Sequence, residues 1–315
     1  MIFSVAVGVL TDGSYEPAGL DWRWMVKCVD PCLALLHEAQ NADGGWGYFP
    51  GKRSSLEPTA YALLALAGEA PRSAAFARGW RLLESWQMTD GSWRGGAAVD
   101  EPHWATSLVI SLRCVLGVFD ERFAHAVEWL LALAGAESRP FARLVHWLSP
   151  SVVEFDPALT GWPWQPGTSA WVEPTVHAVM ALRQALKNSR DPHMAAAIAA
   201  RISTGQRMLL DRRCRDGGWN YGNRRLLGAD LPSYPETTPL ALMALNGHTA
   251  VDWKRAIRDV EQLLQTTRGP LARAWLGACL LQHGESRPAA SRAELLRGDI
   301  LVASIGSIAW NRLAG

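Results

Sequence analysis

The chain has 315 residues, 49% of them hydrophobic, and a net charge of +1, enough apolar material for a large core and no basic excess or arginine-rich arm to attract nucleic acid. Its five cysteines (Cys28, Cys32, Cys114, Cys214 and Cys279) are odd in number and irregularly spaced, which argues against a disulfide framework and for a reducing, cytoplasmic compartment. No Ser-, Pro- or Gly-rich linker divides the chain. One repeat-built domain is therefore expected over residues 25–290, flanked by an N-terminal segment 1–24 and a tail 291–315 that packs on it.

Residues 1–19 are apolar but lack the basic start and cleavage site of a signal peptide. From there the chain alternates two kinds of helix. Amphipathic segments are expected over 25–40, 72–88, 121–134, 192–213 and 253–266. Between and after them come segments apolar on nearly every side: 60–67, 108–116, 176–182, 240–245 and 271–281. A helix of the second kind must be surrounded, so the alternation predicts two concentric all-α layers. The spacing leaves room for an additional helix over 140–148, and strand signals are almost absent. Near the C-terminus, 299–310 is too short and polar to span a bilayer; it either packs on the barrel or makes a shallow peripheral membrane contact.

Four inner-type segments open on a glutamate: Glu57 (EPTAYALLAL), Glu101 (EPHWATSLVISL), Glu173 (EPTVHAVMAL) and Glu236 (ETTPLALMAL). A glycine-tryptophan turn precedes each, at 43–46, 90–93, 161–164 and 216–219, so the unit is a repeat. Pro58, Pro102 and Pro174 suit the first helical position, which puts Glu57, Glu101 and Glu173 at the N-cap, beside unpaired amides. A carboxylate there stabilises a helix by about 0.3–1 kcal/mol, and such a role recurs with the unit. One glutamate can be recruited for acid chemistry while its counterparts remain caps, so all four are candidate catalytic residues.

Other candidates cluster at the same helix starts. Tyr61, Trp104 and Trp171 read either as packing residues or, if they face a cavity, as a wall that holds an apolar ligand or stabilises a cation through its π faces. His103 and His177 read either as hydrogen-bonded core residues or as substrate-binding, acid–base groups. Trp46, Trp93, Trp162 and Trp219 recur with the turns and read as packing wedges, and Cys279 as a buried, inert thiol.

Gln40 and Trp46, and again Gln87 and Trp93, have the spacing Gln-x3-Gly-x-Trp. These copies resemble the glutamine-tryptophan repeats of squalene-hopene and oxidosqualene cyclases. More broadly, the chain over about residues 25–285 resembles the terpenoid cyclase and protein prenyltransferase β-subunit superfamily. The resemblance implies an α/α toroid of about five to six helical hairpins, with an isoprenoid or other apolar substrate in a central cavity. Aligning Thr59-Ala60 with the Thr-Ala of the cyclases' Asp-x-Asp-Asp-Thr-Ala segment puts Glu57 on the central aspartate. Glu173 matches in the same way, and the full acidic motif occurs nowhere in the chain. The prenyltransferase branch implies a zinc site, for which Glu101, His103 and His177 are the candidate ligands; otherwise no cofactor is expected. Three functional classes follow: a cyclase- or prenyltransferase-like enzyme, a non-catalytic toroid that binds a peptide or lipid, and an (α/α)-barrel carbohydrate-active enzyme suggested by the paired acids at 100–101.

Overall fold

Helices rich in alanine and leucine on every face are stable only when enclosed, and this chain encloses them by setting six in a ring. A computed structural model describes residues 31–69, 71–141, 144, 155–285 and 297–308, all within the unit Pro31–Gly315. In chain order the helices are α1 (Pro31–Glu38), α2 (Leu56–Glu69), α3 (Ala74–Ser85), α4 (Thr106–Leu116), α5 (Glu121–Ala132), α6 (Val172–Asn188), α7 (Pro192–Asp211), α8 (Thr237–Ala244), α9 (Trp253–Thr266), α10 (Pro270–Gln282) and α11 (Ile300–Ser307).

Helices α2, α4, α6, α8, α10 and α11 each pack on the next, and α11 returns to α2. The ring is therefore closed. Outside it, α1 lies on α2 and α11, α3 on α2, α5 on α4 and α6, α7 on α6, and α9 on α8 and α10. This is the all-α toroid. The segment expected to pack as a tail contributes α11, a member of the inner ring. Residues 1–24 and most of the candidate helix 140–148 lie outside the described residues.

The near-absence of strands holds only for long ones. Short antiparallel pairs fill three of the connections between a turn tryptophan and the following inner helix: β1 (Arg94–Gly96) with β2 (Val99–Pro102), β3 (Trp162–Pro163) with β4 (Ala170–Trp171), and β5 (Arg225–Leu226) with β6 (Ala229–Asp230). Segments this short show no alternation in sequence, because two to four residues do not make a period.

The turn tryptophans lock the layers together. The indole N–H groups of Trp46, Trp93, Trp162 and Trp219 donate to the carbonyls of Leu36, Leu83, Leu130 and Leu209 on the preceding outer helix, at 2.6–2.8 Å. Their backbone N–H groups donate at 2.9–3.0 Å to Thr59, Thr106, Thr175 and Thr238 Oγ1 on the following inner helix. All four rings are fully buried. Gly79 and Gly205 make room for two of them: a Cβ at either would stand 2.7 Å from the Cζ3 of Trp46 or Trp162. Gln40 ties its turn to the next outer helix by donating to the carbonyls of Gly44 and Ala75, and Gln87 does the same with Gly91 and Arg122. Before Trp219 the glutamine's place is taken by Arg213, whose Nε donates to Gly217 O at 2.8 Å and so performs the glutamine's local task.

Thr106→Val removes the acceptor of the buried Trp93 N–H while keeping the side chain's shape. A loss of about 1–3 kcal/mol is expected, measured by urea denaturation. Thr106→Ser keeps the oxygen and is expected to retain most of the stability; equal losses in the two variants would show that the hydrogen bond is not what matters.

Candidate active site at the inner-helix starts

The threonine that receives each tryptophan N–H marks an equivalent position in every unit, and two residues before it stand Glu57, Trp104, Glu173 and Glu236. The sequence alignment of Glu101 with the other glutamates is therefore three residues out of register. Glu101 lies exposed on β2, and α4 begins only at Thr106, with Ala105 at its cap. The cause is local: Pro102 pairs with Arg94 and the His103 N–H donates to Trp93 O, so the backbone is still extended where a helix was expected. The capping expectation also needs correction. Glu57 and Glu173 fall inside the first turns of α2 and α6, and Glu236, the cap residue of α8, makes no side-chain cap bond.

A second repeated position lies two residues after the turn tryptophan, where the chain has Tyr48, Gly95, Trp164 and Tyr221. Tyr48 Oη donates to Glu57 Oε2 at 2.6 Å. Tyr221 feels the charges of Glu236 and Glu173, which places it between the third and fourth units. In the second unit both positions change together. Trp104 replaces the acid, and the His103 ring packs where an aromatic would otherwise stand, 3.1 Å from a Cβ built on Gly95.

One helical turn deeper, i+4 from the two glutamates, lie Tyr61 and His177. Their Oη and Nε2 meet at 3.1 Å, joining α2 to α6. Trp275 of α10 packs on both at 5.9 Å between ring centroids, Trp104 packs on His177 at 5.1 Å, and Trp164 stands edge-on to Trp104 at 5.1 Å. Tyr61, Trp104, His177 and Trp275 are buried. The result is an aromatic floor beneath the two carboxyls.

Burial governs the titration of this cluster. It raises the Glu57 carboxyl, against which the Tyr48 hydrogen bond acts downward. Glu173 has no side-chain hydrogen-bond partner among the described residues to offset its burial and also faces the charge of Glu57, and its pKa is raised to about 8. Both side chains keep some accessible surface although protein surrounds them on nearly every side, as groups lining a recess do. Burial lowers His103 to about 4 and His177 to about 3, so both rings are neutral at pH 7. At neutral pH Glu173 holds a proton, the state required of an acid catalyst.

The remaining candidates fall elsewhere. Trp171 is exposed and lines a cleft of about 140 Å³ with Glu137, Phe155 and Arg212. The expected zinc ligands do not converge: Glu101 is exposed, His103 Nδ1 accepts from Ala105 N at 3.3 Å, and His177 Nε2 is paired with Tyr61. Among the described residues, no three His, Cys, Asp or Glu side chains form a group with metal-binding geometry. Cys279 is fully buried and its thiol is pushed up to about 12. Sequence reasoning missed Tyr48, Trp164 and Trp275. The first two were legible as a repeated position, tryptophan plus two; nothing in the sequence marks Trp275 beyond its place in an apolar helix.

No family model matches the chain. Among solved structures, endoglucanase Cel10, a family 8 glycosyl hydrolase from Klebsiella pneumoniae, superimposes with a TM-score of 0.57 at 14% identity, covering 90% of this chain and 98% of that one. The fold is thus an α/α toroid. Type II terpene cyclase MstE from Scytonema gives a TM-score of 0.49 at 18% identity, over 90% of this chain and 77% of that one. By sequence, drimenyl diphosphate synthase from Streptantibioticus cattleyicolor is 42% identical over 93 residues, 30% of this chain. The match spans only 17% of that protein's length. The comparisons thus show an α/α toroid fold and, over 93 residues, a sequence similarity to that synthase.

Glu173 gives the site a pH signature. Its carboxyl titrates near the usual 4.5 in the unfolded chain and about 8 in the fold. Between these values the folded protein holds a proton that the unfolded chain has released, so stability falls as pH rises, by at most about 1.4 kcal/mol per pH unit. His103 and His177, lowered by burial, act in the opposite sense below about pH 6.5, but they are common to wild type and variant. Glu173→Gln is therefore expected to gain stability relative to wild type from pH 5 to pH 9 in urea titrations. A difference that does not change with pH would contradict the burial of this carboxyl.

Proposed function

We propose that this protein acts on an isoprenoid or similarly apolar unsaturated substrate at the mouth of the ring, with Glu173 as the proton donor. The observation that carries this reading is the convergence of two inner-helix carboxyls over a floor of Tyr61, Trp104, Trp164, His177 and Trp275. A full Asp-x-Asp-Asp segment would supply paired acids from one helix start; here the pair comes from α2 and α6. The Glu173 proton adds to a terminal alkene carbon and leaves a carbocation beside a new carboxylate. The indole faces and that carboxylate stabilise the cation, which a second double bond attacks. Loss of a proton from carbon to a base ends the sequence. The Tyr48–Glu57 pair holds its carboxyl in a fixed orientation next to the donor. The curated sequence relative, itself named for a prenyl diphosphate product, supports the substrate class.

A second reading is glycoside hydrolysis, which also pairs a protonated with an ionised carboxyl and has a fold neighbour in the endoglucanase. The floor argues against it. The polar ends of Tyr61 and His177 are bonded to each other and so are not free for a sugar's hydroxyls, and the rest of the floor is mostly indole surface.

The test is incubation with linear prenyl diphosphates and gas chromatography–mass spectrometry of the dephosphorylated products. Wild type is expected to form a cyclised product, Glu173→Gln to lose at least about 100-fold in rate, and Tyr48→Phe to lose less. Wild-type activity in Glu173→Gln would remove the proposed role. Release of sugars from soluble oligosaccharides, abolished by the same variant, would favour the second reading.

A further inference from the structure

A second group of side chains lies apart from the carboxyl pair, where α7 ends and the β5–β6 hairpin begins. Arg213, Arg215, Arg224, Arg225 and Asp230 line a hollow of about 320 Å³. Four guanidinium groups face one carboxylate. Asp230 pairs with Arg215 at 3.1 Å and with Arg225 at 3.6 Å, so it is shared between two of them. Arg213 is held in place by its bond to Gly217 O and by stacking 5.3 Å from the Trp219 ring centroid. Arg225 is braced by donating to Gly228 O at 3.1 and 2.9 Å. Arg224, partly buried, has no carboxylate partner among the described residues.

Gathering like charges is unfavourable unless an anion completes the group. Asp230 alone leaves the lining three charges positive. Arginine, with its planar fork of donors, matches phosphate oxygens two at a time. The anchoring of Arg213 and Arg225 reduces what a ligand must order on binding. We propose that this hollow is a binding site for a phosphate ester, with Arg224 as the principal free donor. The site stands on its own lining and does not depend on the acid chemistry assigned to Glu173. Two sources offer the same oxyanion: a soluble diphosphate and an anionic phospholipid headgroup. The exposed Leu227 at the hairpin tip, held at φ +50°, makes the second worth testing.

Isothermal titration of the full chain with inorganic diphosphate is the direct experiment, paired with flotation on vesicles of phosphatidylcholine with or without phosphatidylglycerol. Saturable binding is expected, weakening with added salt, and about tenfold weaker in Arg224→Gln. The Arg224 side chain makes no hydrogen bond or ion pair among the described residues, so this variant should fold as wild type, which its urea midpoint checks. Arg81→Gln, on α3, is expected to bind as wild type does. Diphosphate binding without vesicle retention assigns a soluble ligand. Retention on phosphatidylglycerol vesicles, reversed by diphosphate, assigns the headgroup. If the wild type binds neither probe, or Arg224→Gln binds both as tightly as the wild type, the proposal is overturned.

Discussion

Everything in this molecule hangs on how one tryptophan per unit is bonded at both ends. Its indole N–H is satisfied by the last turn of an outer helix and its backbone N–H by a threonine in the first turn of an inner helix. A buried donor left unpaired costs more than a made bond gains, so the pairing fixes the relative height of the two layers. Four repetitions set four inner-helix starts at equivalent heights. Residues two before each threonine then share one mouth of the ring.

That equivalence decides which residues can act together. Helices α2 and α6 are not neighbours in the ring; α4 stands between them, and Trp104, in the turn just before it, lies at the height of Glu57 and Glu173. These two acids therefore face a space bounded by an indole; Glu236 holds the equivalent place before α8, and the second unit has no acid there because Glu101 is held on a strand. Surrounding protein does the rest. It removes the solvation a carboxylate needs, and Glu173, with no hydrogen bond in compensation among the described residues, retains its proton. The same burial keeps His177 neutral and able to pair with Tyr61.

The arrangement separates two tasks by chemistry. Around the carboxyl pair the walls are aromatic, suited to an apolar chain or to a delocalised cation. At the β5–β6 hairpin the lining is guanidinium, suited to oxyanions. Each draws on a connection between a turn tryptophan and the following inner helix, through Tyr48, Trp104 and Trp164 in the first and Arg224, Arg225 and Asp230 in the second, a part of the unit that the layer packing leaves free to vary.

The sequence by itself determined the layers. Alanine- and leucine-rich helices such as 240–245 can only be inner, and amphipathic ones such as 253–266 only outer, because burial follows from composition and period. It also determined that Glu57 and Glu173 open inner helices, and that the tryptophans are wedges. Tertiary structure alone decided the register and the partners. Glu101 looked equivalent to Glu57 because Glu-Pro is shared, yet equivalence follows the threonine that accepts the tryptophan N–H, and that bond joins residues 13 apart across a connection whose strand pairing the sequence does not announce. Closure of the ring by α11, the meeting of Tyr61 with His177, and the placing of Trp275 beneath two glutamates are contacts between distant segments. No local pattern encodes them, because each is set by how six helices share one centre.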